Sequence, residues 1–199
     1  MNASNLRAIA RLLPVLVLVA GAAGCDRSKW NEQSIRDGGF RVLMLPQPHY
    51  EKRQLDTPIG TITAHLYSME LRDSVFGVGY SDYPEQVLRL MAPRRMFTDV
   101  RDGWMKRING RLQGEGIDIR LDGTYPGMEI VASGTVNGRE AYLRGRFYLV
   151  GNRLYQVVVF GNRDTMPVAD VNRFLSSFKL IPPREVSDIT IQPTPDKKP

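Results

Sequence analysis

The sequence predicts an α+β fold: an antiparallel β-sheet with helices packed on it. Three observations predict it. Much of the chain from Phe40 to Gly161 falls into short strand-like runs, each closed by a turn dipeptide. One central segment, Pro93 to Ile108, switches to helical spacing. The last third is a hairpin series, with Asn137-Gly138 and Gly151-Asn152 between long runs and an apolar helical stripe after them.

Phe40 to Leu45 alternates imperfectly and ends at Pro46-Gln47-Pro48. His49 to Leu55 is polar and reads as an edge strand. Asp56-Thr57-Pro58-Ile59-Gly60 is a turn, and Thr61 to Leu71 is a longer strand rich in Thr, Tyr and Ile. After Arg72-Asp73, the run Ser74 to Tyr80 places Phe76, Val78 and Tyr80 on one face. Asp82 and Pro84 mark the start of a short helix reaching Met91. Pro93 suits the first position of the next helix, where its missing N–H costs nothing. In that helix Phe97, Val100, Trp104 and Ile108 recur at spacings of three and four, and Asn109-Gly110 ends it. Such a stripe reads as core. A membrane-surface helix is the alternative that its bases and Trp104 leave open.

Arg111 to Leu121 is a polar strand, followed by turns at Asp122-Gly123 and Pro126-Gly127. Met128 to Val136, Arg139 to Val150 and Arg153 to Gly161 form the meander. The unbroken apolar run Val157 to Phe160 predicts a central strand buried on both faces. Val168, Val171, Phe174, Leu175 and Phe178 give the closing helix.

The N-terminus has signal-peptide order. Arg7 and Arg11 precede the apolar run Leu12 to Ala20, and Gly21-Ala22-Ala23-Gly24 lead to Cys25. The run is short for a membrane span, which needs roughly 20 apolar residues. Ala22-Ala23-Gly24-Cys25 resembles the lipobox of bacterial lipoproteins, with Ala22 where leucine is usual. The resemblance implies cleavage before Cys25 and lipid on its thiol. Two other readings stand beside it: ordinary cleavage after Ala20-Gly21-Ala22, and an uncut anchor. Cys25 is the sole cysteine, so no intramolecular disulfide can form. The chain then divides into a leader over residues 1–24, a lipidated tether over 25–38 and one domain over 39–181. A proline-rich disordered tail over 182–199 completes it. Within the tether, Trp30 either docks on the domain or sits at the membrane interface. The expected location is a bacterial cell envelope, with the domain facing the periplasm.

A family resemblance follows from these elements. Small bacterial lipoproteins with a PsbP/Mog1-like domain, DcrB-like proteins among them, open on Gly-Phe-x-Val-x-x-Pro. Gly39-Phe40-Arg41-Val42-Leu43-Met44-Leu45-Pro46 matches this loosely. Tyr148-Leu149-Val150-Gly151-Asn152-Arg153-Leu154-Tyr155-Gln156-Val157 and Phe174-Leu175-Ser176-Ser177-Phe178-Lys179-Leu180 are more similar to their closing portion. The resemblance implies an α/β/α sandwich with a binding or assembly role and brings no catalytic residues.

Chemistry is sparse. The net charge of +6 falls once the leader arginines are removed, and the small excess is spread along the chain, which does not point to nucleic acid. His49 and His65 are the only imidazoles, and neither lies in a hydrolase or metalloprotease motif. His65 sits mid-strand and reads as a packed or surface residue. Two separated histidines and a lipid-bound cysteine do not make a zinc site, and no cofactor, metal or catalytic residue is expected. One cluster stands out. On the run Arg139 to Val150, Tyr142, Arg144, Arg146 and Tyr148 share a face by the period of two. They offer a patch for an acidic partner or anion, unless the arginines pair with acids on the neighbouring strand. The expected partners are therefore the membrane, through Cys25, and an envelope protein. The alternative is a small anionic or lipidic ligand held in a groove between sheet and helix.

Overall fold

The computed structural model describes residues 30–57 and 60–182. Cys25 with its leader, and the proline-rich segment from 183 onward, lie outside the described residues.

A main antiparallel sheet has eight strands. In chain order these are β3 (His49–Thr57), β4 (Gly60–Leu71), β5 (Ser74–Asp82), β6 (Arg111–Leu112), β7 (Ile117–Leu121), β8 (Tyr125–Val136), β9 (Arg139–Val150) and β10 (Arg153–Gly161). In space the order is β3-β4-β5-β10-β9-β8-β6, with β7 also pairing β8. A second, three-stranded antiparallel sheet has the order β1-β2-β11, from β1 (Asn31–Ile35), β2 (Phe40–Met44) and β11 (Lys179–Leu180). The helices are α1 (Glu85–Leu90), α2 (Pro93–Arg107) and α3 (Val168–Ser177).

Two cores flank the main sheet. Period-two alternation sends Phe76, Val78, Val157 and Val159 to one face, where they meet Phe40, Val42 and Met44 of β2 and Phe174 and Leu175 of α3. It sends Leu143, Phe147, Leu154 and Val158 to the other face, against Met96, Phe97 and Ile108 at the two ends of the α2 stripe. The run Val157 to Phe160 serves both faces, because β10 lies between β5 and β9 as the predicted central strand. These side chains pack together between the sheet and α2.

Five expectations change. Residues 30–38 of the segment expected as a tether belong to the domain: Trp30 is buried, and β1 pairs with β2 from Asn31↔Met44 to Ile35↔Phe40. Asn31-Glu32-Gln33-Ser34 carries no apolar pattern, and this strand is fixed by its partner. The expected single strand Arg111–Leu121 is split into β6 and β7, because Gln113-Gly114-Glu115-Gly116 interrupts it with Gly114 at φ +81. Pro126-Gly127 is not a turn; both residues lie inside β8. Pro126 precedes the β9 pairing, which begins at Gly127↔Tyr148, so its missing N–H removes no bond to β9. Gly127 is there for contact: a Cβ would lie 2.5 Å from the Phe147 carbonyl oxygen and 2.6 Å from Tyr148 Cδ1. Asp82 still belongs to β5, and Val168, at the first position of α3, is exposed.

Candidate functional site

Tyr142, Arg144, Arg146 and Tyr148 lie on one face of β9, and α3 lies over them. Glu129 of β8 stands opposite Arg146 in register. Arg146 Nε donates to Glu129 Oε2 at 2.7 Å, and Arg144 Nε donates to Oε1 at 2.8 Å. Arg144 Nη1 donates to Asn172 Oδ1 at 2.6 Å, and Arg146 Nη1 to the Leu175 carbonyl oxygen at 3.2 Å. That carbonyl belongs to the last turn of α3, where a cation also meets the negative end of the helix dipole. The anion that meets both arginines is thus a carboxylate of the same sheet. Burial pushes the Glu129 carboxyl up, and the hydrogen bonds and charges of the two arginines outweigh it, holding it below the usual carboxylate range. Tyr148 is buried and stacks on Phe178 at 5.8 Å, while Tyr142 is half-buried with Arg163 over its ring.

A second cluster went unseen in the sequence. Tyr50 on β3, His65 on β4 and Tyr80 on β5 stand side by side on the same face of the main sheet. The His65 and Tyr80 rings are parallel at 4.5 Å, and the Tyr50 hydroxyl and His65 Nδ1 are hydrogen-bonded at 2.9 Å. Arg153 lies over the other face of Tyr80 at 4.6 Å and grips Asp82 with two bonds of 2.6 and 2.7 Å. Arg153 also reaches the Asp37 carbonyl oxygen at 3.0 Å, and the Tyr155 hydroxyl donates to the Gly38 carbonyl oxygen at 2.7 Å. The ladder therefore ties the β1–β2 turn to the main sheet. Its hydrogen bond from Arg153 holds Asp82 below the usual carboxylate range, and burial pushes the Tyr80 phenol up to about 12. At its outer end the ladder opens: Tyr50 is 46% exposed on the edge strand, beside exposed Lys52. That His49–Leu55 is an edge strand and Thr61–Leu71 a longer strand was legible; their register, which brings the rings together, was not.

Tyr83 and Trp104 are half-buried. Tyr80 is buried, Tyr83 packs toward the second core, and Trp104 Nε1 donates to Gln156 at 2.9 Å beneath Arg107. An open depression of about 580 Å³ lies at the β8–β9 hairpin end, lined by Asp73, Asn137, Arg139, Glu140 and Phe160 among others. Among the described residues no group of three or more His, Cys, Asp or Glu could hold a metal ion, and no helix is long and apolar enough to cross a membrane.

These features define a layered α+β domain whose charged and aromatic clusters bind its own elements together. The chain is similar to several solved structures at low identity. The PsbP of the cyanobacterium Synechocystis (CyanoP) is 15% identical with a TM-score of 0.49, covering 80% of this chain and 96% of that one. LpqN of Mycobacterium tuberculosis, involved in cell envelope biogenesis, is 13% identical with a TM-score of 0.38, covering 77% and 79%. A Pseudomonas aeruginosa protein of unknown function is 10% identical with a TM-score of 0.34, covering 71% and 88%. No protein-family model and no curated protein matches the chain. The antiparallel sheets with helices packed on them are the α+β architecture that the sequence predicted.

Proposed function

We propose that the chain is a bacterial envelope lipoprotein, held to a membrane through lipid on Cys25. Its periplasm-facing domain binds a protein partner and catalyses no reaction. The order positive, apolar, small, cysteine supports the anchor. The observation that carries the binding role is the open end of the aromatic ladder. Tyr50 and Lys52 project from β3, the outermost strand of the main sheet, and Leu55 on the same strand is 36% exposed. A nine-residue edge strand with exposed Tyr offers both backbone pairing and aromatic contact to an extended segment. The arginine clusters are engaged internally, so they serve the fold that presents this edge.

The test is in-cell photocrosslinking from position 50, with position 140 on the far hairpin as control. A reproducible envelope partner recovered from position 50 and not from 140 supports the reading. Equal recovery at both, or none at 50, contradicts it.

A further inference from the structure

The two ends of the domain are distinct. Trp30 packs edge-on against Phe76 at 5.6 Å, and Arg173 lies over its ring. Phe76 pairs with Val159, near the Gly161 end of β10. The β4–β5 turn at Arg72-Asp73, the β8–β9 turn at Asn137-Gly138 and the loop leading to α3 lie at this same end. At the opposite end lie the β9–β10 turn, the β1–β2 turn and α1, because the Tyr83 N–H donates to the Asn152 carbonyl oxygen. The final strand also ends there, where the Ile181 N–H donates to the Gly39 carbonyl oxygen. The chain thus enters at one pole and leaves at the other.

Resting on the proposal that Cys25 is acylated, we infer that the Trp30 pole sits on the membrane surface, with anionic phospholipid headgroups as its partner. Cys25 to Trp30 is five residue steps, which span at most roughly 18 Å however they are arranged. The nine residues of β10 run roughly 26 Å from one pole to the other. A domain standing on its far pole would hold Trp30 beyond the reach of that leash.

The charge of the near pole fits the same surface. Arg72, Lys106, Arg107, Arg139, Arg163 and Arg173 have no carboxylate partner among the described residues; toward the far pole Arg89, Arg94, Arg95 and Arg153 are ion-paired, while Arg36 and Arg120 are not. Acids are interspersed (Glu70, Asp73, Glu140, Asp164 and Asp170), so the excess is slight. Arg107, Arg163 and Arg173 lie over the Trp104, Tyr142 and Trp30 rings, and the exposed Arg72 and Arg139 offer planar, two-point donors to phosphate oxygens. Val168, 70% exposed at the start of α3, adds an apolar contact at this pole. The far pole, with Leu90 91% exposed, then faces away from the bilayer.

Hydrogen–deuterium exchange tests this on the lipoprotein extracted with its anchor. The protein is placed in vesicles of phosphatidylglycerol and phosphatidylcholine and compared with the same protein in detergent. Exchange at 72–73, 137–138 and 162–167 should slow several-fold in vesicles, while 85–95 stays unchanged. The exposed triple variant Lys106→Glu, Arg139→Glu, Arg163→Glu should lose that slowing and remain anchored. Slowing at 85–95, or slowing that survives the triple variant, overturns the inference. The mass of the Cys25 peptide is read from the same sample. An unmodified cysteine overturns the anchor and this inference together, and an acylated one with an unslowed pole overturns this inference alone.

Discussion

Replacing Glu129 by alanine removes the one carboxylate that Arg144 and Arg146 share beneath α3. The Glu129 side chain is 13% exposed and each arginine side chain 25%. Breaking a fully buried ion pair from one side costs about 3–5 kcal/mol, because the remaining charge stays desolvated. A quarter of each arginine meets water, which places the loss near the lower limit, about 3 kcal/mol. In urea that lowers the unfolding midpoint by roughly 1.5 M at a slope of about 2 kcal/mol/M. Circular dichroism at 25 °C measures it, and thermal melting should fall by roughly 10 °C. The triple variant Glu129→Leu, Arg144→Leu, Arg146→Leu removes all three charges and should recover most of the loss. A single-variant loss under about 0.5 kcal/mol would refute the reasoning, because that is the range of a screened surface pair.

Three further outcomes follow from the same geometry. Trp30→Ala should cost about 3 kcal/mol in urea unfolding, since Trp30 is 6% exposed against Phe76; a change within about 0.5 kcal/mol would mean that the segment is a tether after all. Gly127→Ala should destabilise by more than about 1 kcal/mol, because its Cβ would meet the backbone oxygen of Phe147; an unchanged midpoint would show that β8 and β9 yield easily. Glu129 and Asp82 titrate below their ordinary values when folded, so the unfolded chain takes up their protons first as pH falls. Their contribution is present above the ordinary carboxylate range and is lost as pH drops through the lowered values. Unfolding midpoints should therefore decline below about pH 4, and the decline should be shallower in Glu129→Gln. Equal acid slopes for both proteins would contradict that assignment.

Local chemistry made the meander legible. Asn137-Gly138 adopts φ +51 and +75, the conformation a tight hairpin demands, and β9 and β10 occupy the ranges that the turn dipeptides delimit. The α2 stripe was legible for the same reason: its period is written in Phe97, Val100, Trp104 and Ile108. What depends on register or distant partners was not legible. Asn31–Ile35 has no strand pattern and is a strand because β2 lies beside it. Pro126-Gly127 has the form of a turn, yet Gly127 answers a close approach from β9 that only the folded sheet reveals. The arginine face was visible on β9 by its alternation, but Glu129 becomes its partner through the pairing of β8 and the cover of α3. The ladder from Tyr50 to Arg153 joins four strands, and no single segment announces it.

Membrane anchoring rests on Cys25. Mass spectrometry of the peptide that begins the mature chain, taken from membranes of the producing cell, measures it directly. The expected result is a chain starting at Cys25 with a diacylglyceryl group on its sulfur, and a Cys25→Ser protein released from the membrane. A free thiol at Cys25, or an intact leader ahead of it, would contradict it.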